Sequence, residues 1–417
     1  MNDAVEQAYE TLSGAKAHVP APEARNGLRH VVSLSLTKVA DGLIDPKLVL
    51  SWLGAALGAP AAVTGLFVPI REAGALLPQI ALAGWVQGMA RRKWAWVLGA
   101  AGQGIAAAGI ALAALTLQGL AAGLAICAAL AVLALSRAAC SVSYKDILGK
   151  TIKERRRGAV TGTAGSVASV AVLGFAVLLM SGVLREQTPV ILAIALAAVL
   201  WLAASAVFST LEEDPSETGA RQGLDLTPLR EDGDFRRFIM VRGLLTVTAL
   251  APPYFVMLGG GQGALQGLGA LLLASAGASF ASSYIWGRLA DRSARRVLAL
   301  SGGFGAGFAA LAVLAELSGW TQIPYVVPAI LFGFMLAYQG VRRGRSTYLV
   351  DMAPEDARSS YAALANTVIG VLLLAVGALG GVLALAGPVA ALGGFAALSL
   401  AGGLLALRLR DEKQGPA

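Results

Sequence analysis

Long apolar stretches separated by short polar ones run along almost the whole chain. A bilayer's hydrocarbon core demands about 20 predominantly apolar residues of a helix. Twelve such stretches occur, at 32–57, 62–88, 94–117, 120–142, 159–184, 190–211, 238–258, 265–289, 297–318, 325–348, 359–385 and 389–407. The first is the most interrupted, by Lys38, Asp41, Asp45 and Lys47. The pattern predicts an all-α membrane protein of about twelve transmembrane helices.

The connections alternate in charge. One set carries Arg91, Arg92 and Lys93; then Lys145, Lys150, Lys153, Arg155, Arg156 and Arg157; then Arg288, Arg292, Arg295 and Arg296; then Arg342, Arg343, Arg345 and Arg358. The other set, 58–60, 118–119, 185–189, 259–264, 319–323 and 386–388, is short and nearly neutral. Positive connections stay in the cytoplasm. The expected topology is multi-pass in the cell (inner) membrane with both termini cytoplasmic. The longest polar segment, 212–237, holds Glu212, Glu213, Asp214, Glu231, Asp232 and Asp234 and splits the stretches six and six. The expected units are a polar leader (1–27), a first six-helix bundle (28–211), a cytoplasmic linker (212–237), a second bundle (238–408) and a tail (409–417). The leader lacks an apolar signal core and is expected to be disordered or amphipathic.

Composition agrees. Of 417 residues 56% are hydrophobic and only 14% charged, where soluble proteins carry about 25% charged residues. The 51 glycines suit membrane helices that must approach closely. The net charge of +8 sits in the loop clusters rather than on one soluble face, which argues against nucleic acid. Cys127 and Cys140 share one apolar stretch and read as small buried residues. The two histidines, His18 and His30, both near the N-terminus, do not make a metal site. No cofactor is expected, and the glycine-rich segments follow helices rather than strands, so no dinucleotide or ATP site and no enzyme is expected.

A repeat underlies the two sixes. Asp41-Gly42-Leu43 matches Arg242-Gly243-Leu244, and Trp85 matches Trp286, both 201 positions on. Arg137, Ser141 and Asp146 match Arg342, Ser346 and Asp351, 205 positions on. Parallel halves related by an axis along the membrane normal are a transporter architecture.

The run Gly287-Arg288-Leu289-Ala290-Asp291-Arg292-Ser293-Ala294-Arg295-Arg296 resembles the loop motif of the major facilitator superfamily, with Ala294 where that family has Gly. The equivalent first-half loop, Gly88-Met89-Ala90-Arg91-Arg92-Lys93, lacks the Asp. Asp351 to Arg358 resembles the family's loop between the tenth and eleventh helices. Arg137 resembles the family's membrane arginine linked to proton coupling, with Cys140 and Ser141 departing from the usual Gln and Gly. The fifth stretch has no proline and lacks the antiporter motif. The resemblance implies two pseudo-symmetric six-helix bundles and a conformational role for Gly287, Asp291, Arg292, Arg295, Arg296, Asp351 and Arg358.

Ionisable residues inside the apolar stretches cost several kcal/mol unless they face protein or a water-filled cavity, and so are functional candidates. Lys38, Asp41 and Asp45 share a helical face, with Gly42 and Pro46 able to interrupt the helix. A Lys38–Asp41 ion pair is the simpler alternative to a proton or cation site. Arg71 and Glu72 point about 100° apart and cannot simply pair with each other; one is expected to face the cavity while the other ties to the first stretch through Asp45 or Lys47. Arg242 is expected either to snorkel to the surface or to enter the cavity. Tyr338, Gln339 and Arg342 are candidate ligand contacts. Trp85, Trp94, Trp96, Trp286 and Trp320 read as an interfacial belt.

The expected function is secondary transport of a small solute by alternating access, coupled to protons or facilitative, by a monomer in a lipid bilayer. Asp41, Asp45 and Glu72 are the candidate protonation sites. The membrane arginines point to an anionic solute. The degraded first-half loop keeps open a second class of function: a transporter-like assembly factor, receptor or lipid flippase.

Overall fold

The computed structural model describes residues 2–13, 19–184, 186–216, 226–258, 265–290, 292–354 and 357–410. His18, Asp291, Glu355, Asp356, much of the linker (217–225), the loop 259–264 and the tail 411–417 lie outside them. Among the described residues there are helices and no strands. In chain order they are α1 (Asn2–Ser13), α2 (Ala21–Leu43), α3 (Val49–Ala56), α4 (Ala61–Thr64), α5 (Phe67–Leu76), α6 (Gln79–Gln87), α7 (Lys93–Thr116), α8 (Gly119–Thr151), α9 (Glu154–Met180) and α10 (Thr188–Ser209). The second half comprises α11 (Thr227–Glu231), α12 (Gly233–Leu244), α13 (Val247–Leu250), α14 (Pro252–Val256), α15 (Leu265–Ala290), α16 (Ala294–Leu317), α17 (Val326–Met352), α18 (Arg358–Leu383) and α19 (Pro388–Ala406).

Among the described residues ten helical spans are long and apolar enough to cross a membrane. They include α4–α6 and α12–α14, each counted as one broken span. The other two spans of a twelve-helix architecture are the first, α2 with α3, and the tenth, α17. Both fall short for one reason: α2 carries Lys38 and Asp41, and α17 carries Arg342, Arg343 and Arg345. Large apolar side chains such as Leu98, Ile105, Val170, Leu192 and Phe280 stay exposed along the spans, as a lipid-facing surface requires.

The first span starts earlier than its apolar run, at Ala21, because Asn26 and His30 are buried on its inner face. It then breaks between Leu43 and Val49. Pro46 disfavours helical conformation in Asp45 and removes one N–H. The break is locally satisfied: Lys47 N donates to Asp45 Oδ1 at 2.9 Å and Ser51 Oγ donates to the Pro46 carbonyl at 2.7 Å. The leader forms α1, whose Tyr9 is fully buried against Gly27 of α2.

At the basic ends of the spans, salt bridges bind the first half to its own exit chain. Arg92 reaches Asp146 at 2.6 Å, Lys150 reaches Asp146 at 2.6 Å, and Arg156 reaches Glu23 at 2.6 Å. Glu212 binds Arg29 at 3.1 Å, and its backbone exchanges two hydrogen bonds with Asn26. Glu213 accepts from the N–H groups of Arg92 (3.2 Å) and Lys93 (2.7 Å), and from Lys150 Nζ (3.3 Å). It thereby places a carboxylate at the N-terminus of α7, where free N–H groups and the helix dipole favour negative charge.

The two halves meet across glycines towards the neutral ends. Gly269 of α15 lies on the backbone of Ala176 to Met180 in α9. Along α18, Gly370, Gly377 and Gly381 rest on Leu77, Pro69 and Ala62 of the second span, and Gly65 lies beneath the Tyr254 hydroxyl. A Cβ at Gly269 would sit 2.6 Å from Met180 N and 2.7 Å from Ala176 O. Two tryptophans expected in an interfacial belt are core residues instead: Trp96 stacks on Phe208, and Trp286 donates to the Leu336 carbonyl at 2.8 Å.

Leucine at Gly269 or Gly381 is expected to hold this seam apart. With Cys127 and Cys140 replaced by Ala, an added Ala62→Cys should react faster with a membrane-impermeant maleimide in either leucine variant than in the parent.

Candidate functional site

The break in the first span sets the geometry of an interior charge cluster. Asp41 lies on α2, before the break, and Lys47 lies within it. Adjacent residues of α5, Arg71 and Glu72, diverge and reach these two positions separately. Arg71 Nη2 donates to Asp41 Oδ1 at 3.1 Å, and Lys47 Nζ donates to Glu72 Oε1 at 2.7 Å. Arg137 of α8 binds the other Asp41 oxygen through Nη1. One carboxylate therefore serves two guanidinium groups contributed by the second and fourth spans. Asp45 lies beside them, its Oδ1 taken by the Lys47 N–H.

This corrects the Lys38–Asp41 pair read from the sequence. Lys38 Nζ instead donates to the Thr161 carbonyl of α9 at 3.0 Å. Asp41 faces α5 and α8, where two guanidinium groups outcompete a single ammonium on its own helix. Arg71 and Glu72 do not divide between the cavity and the first span: both tie to the first span, Glu72 through Lys47 and Arg71 through Asp41.

The tenth span supplies the facing wall. The Tyr338 ring centroid lies 5.3 Å from Lys47 Nζ and 5.8 Å from Arg342 Cζ, so two cations from different halves share one aromatic ring. Such contacts favour a cation over the ring. Gln339 accepts from Arg342 Nη1 at 3.3 Å and donates to Ser279 Oγ of α15 at 2.6 Å. Arg345 lies one turn further along α17.

Arg242 does not snorkel to the surface. It is 6% exposed, and Nη2 donates to Asn366 Oδ1 of α18 at 2.9 Å. Its Nε is buried without a partner. Among the described residues no carboxylate pairs with Arg242, Arg342 or Arg345, whereas Arg71, Arg137 and Lys47 are all paired. Asn366, Ser279 and Lys47 were not singled out as site residues in the sequence. Asn366 and Ser279 are neutral residues in apolar runs, and only the fold shows what they face.

The loop residues are spread along the basic ends. Gly287 lies within α15, with open space where a Cβ would sit. Arg292 and Arg296 are exposed, and Ser293 caps α16 by accepting from Arg296 N at 3.3 Å. Arg295 Nη1 donates to the Leu409 carbonyl at 3.4 Å, and Arg358 Nε donates to the Val350 carbonyl at 3.1 Å. Asp351 is exposed at the end of α17.

No protein-family profile matches the chain, and no curated protein matches it. Solved structures do. The nucleoside transporter NupG superposes with a TM-score of 0.69 at 13% identity, covering 92% of this chain and 98% of its own. The xylose transporter XylE from E. coli, in an inward open conformation, gives 0.67 at 11% identity, covering 94% and 97%. A peptide transporter POT in complex with sulfate gives 0.66 at 13% identity, covering 97% of each chain. The chain has the major facilitator fold. That fold accounts for twelve spans from a chain with ten unambiguously apolar ones, and for two halves meeting along a seam.

Removing one partner from a buried ion pair leaves an uncompensated charge. Asp41→Asn strands both Arg71 and Arg137 and is expected to destabilise the protein by roughly 2 kcal/mol or more, the partial exposure of Arg137 moderating the loss. Adding Arg71→Gln to Asp41→Asn should recover part of it. Thermal unfolding of the detergent-solubilised single and double variants measures the difference. Glu213→Ala, which frees two helix-start N–H groups and Lys150, should cost about 1–3 kcal/mol in the same assay.

Proposed function

We propose that this chain is a secondary transporter of a small anionic solute in the cell (inner) membrane. It works as a monomer, by alternating access and with proton coupling, and both its termini face the cytoplasm. The observation that carries the proposal is the interior cluster of Asp41, Arg71, Arg137, Lys47 and Glu72. Charges inside a membrane bundle are costly to bury and mark solute or proton routes. In this reading a carboxylate of the cluster, Glu72 or Asp41 with Asp45 beside it, takes up a proton. Its ion pair then opens, and the released cation becomes available to the solute. The halves rock about the site. The basic loops, with Gly287, Asp291, Arg292, Arg295, Arg296, Asp351 and Arg358, bias which end is open.

The structural neighbours support the class of activity. They are, by their own descriptions, transporters of nucleosides, xylose and peptides. The case for a non-transporting assembly factor, receptor or flippase rested on the missing Asp in the first-half loop. Glu213 supplies a carboxylate to that same loop from the exit chain, which weighs for the carrier reading.

The test is purified protein in liposomes with an imposed pH gradient, internal pyranine reporting proton movement as succinate, inorganic phosphate, xylose and uridine are added in turn. At least one anion should drive proton movement. Glu72→Gln and Asp41→Asn should abolish the coupling. Coupled movement unaltered in both variants would remove this cluster from the mechanism, and no movement with any solute would count against transport.

A further inference from the structure

The outer surface of the second half carries a groove of its own. It runs between α16 and α19 and encloses about 280 Å³, with Arg296, Leu300, Gly303, Leu400, Leu404 and Leu407 in its lining. Gly403 lies directly on the backbone of Ala299, Gly302 and Gly303, so the two helices touch at the floor. Gly303 has open space where a Cβ would sit. Leu300, Leu400, Leu404 and Leu407 are exposed, and the groove therefore opens to lipid. The equivalent helices of the first half, α7 and α10, have a leucine at their crossing: Leu202 covers Gly104. Gly403 stands 201 positions after Leu202. One end of the groove is positive. Arg296 belongs to the lining, and Arg292, Arg296 and Arg408 are exposed at that end. Among the described residues no carboxylate forms a salt bridge with any of the three. Arg295 Nη1 meets the Leu409 carbonyl at 3.4 Å, which joins the start of α16 to the end of α19 at this mouth. Segments 288–296 and 408–413 together hold seven basic residues against three acids.

We propose that this groove seats one anionic glycerophospholipid from the leaflet at the basic ends, its acyl chain on Gly303 between α16 and α19 and its phosphate on Arg296. The groove has the polarity of the lipid: apolar along its length, cationic at one end only. From Arg296 to Gly303 the lining runs about 10 Å along α16, most of the ~15 Å depth of one hydrocarbon leaflet. The guanidinium fork matches phosphate oxygens, and basic pockets between membrane helices are suited to anionic headgroups. Charge also argues against a second copy of the chain in the groove. A two-fold contact sets the same patch against itself and would press this cluster of arginines onto its own like. The bound lipid braces the start of α16 against the end of α19, beside the Arg295–Leu409 contact. The site stands independently of the carrier reading.

The experiment is native mass spectrometry of the full chain in a neutral detergent, titrated with dioleoyl phosphatidylglycerol or with dioleoyl phosphatidylcholine, which has the same chains and no net charge. The parent should retain the first phosphatidylglycerol in preference to phosphatidylcholine. Arg296→Gln should reduce that preference about fivefold, the effect of one basic residue at a lipid surface. Gly303→Leu places its side chain in the open groove without displacing a neighbour. It should weaken retention of both lipids roughly tenfold, as expected for the contacts of one or two methylenes, and leave the headgroup preference of what remains. The two variants thus read the two ends of the lipid separately. Equal retention of the two lipids by the parent overturns the site, as does a preference unaltered by Arg296→Gln or a retention unaltered by Gly303→Leu. Glycerol phosphate, the headgroup without a chain, should neither bind nor displace the lipid; displacement by it at comparable concentration would reduce the site to a surface phosphate contact and overturn the groove. A dimer of the parent that Gly303→Leu dissociates, with no lipid retained, would assign the groove to a second copy and overturn the proposal.

Discussion

The carboxylate of Asp41, shared between Arg71 and Arg137, is the constraint on which the interior depends. Three spans from different parts of the first half converge on it. This one acid neutralises two guanidinium groups and so ties together α2, α5 and α8. The Asp45-Pro46 break follows from the same requirement. A continuous first helix would carry Lys47 on around the axis, whereas the break lets it turn towards Glu72 and the tenth span. Ordinary helix chemistry and interior electrostatics thus settle one geometry together.

The fold was legible in the sequence because a bilayer imposes a simple rule. Apolar runs of fixed length, alternating loop charge and the 201- and 205-residue offsets each follow from crossing lipid repeatedly. Half of the candidate site was legible for the same reason: Asp41, Arg71, Glu72 and Arg137 are conspicuous where charge is costly. Pairings were less legible. Lys38 and Asp41 share a face, and sequence spacing favours them as partners, yet Asp41 turns to other helices and Lys38 to a carbonyl on α9. Asn366 gave no signal, since one amide in an apolar run has no meaning until Arg242 is placed against it. Trp96 and Trp286 misled because tryptophan suits both interfaces and cores, and only packing decides between them.

The basic face shows how a weakened motif can be made good from elsewhere. The first-half loop has no acid of its own after Gly88, but the chain leaving the sixth span returns to it. Glu213 reaches the start of α7 while Glu212 binds Asn26 and Arg29 of α2. The exit of the first half is therefore fastened beneath its own first and third spans. Any displacement of the second half must be taken up beyond that point rather than inside the first bundle.

The seam between the halves has a different character. Apart from the Lys47 ammonium over the Tyr338 ring, its described contacts set glycine backbone against alanine, proline and leucine. Contacts of this kind gain from close approach alone and are made or released without rearranging an ion pair. Ionic strength should then have little hold over this junction, while the thickness and lateral pressure of the surrounding lipid, which act on helix spacing, become the conditions to which it responds.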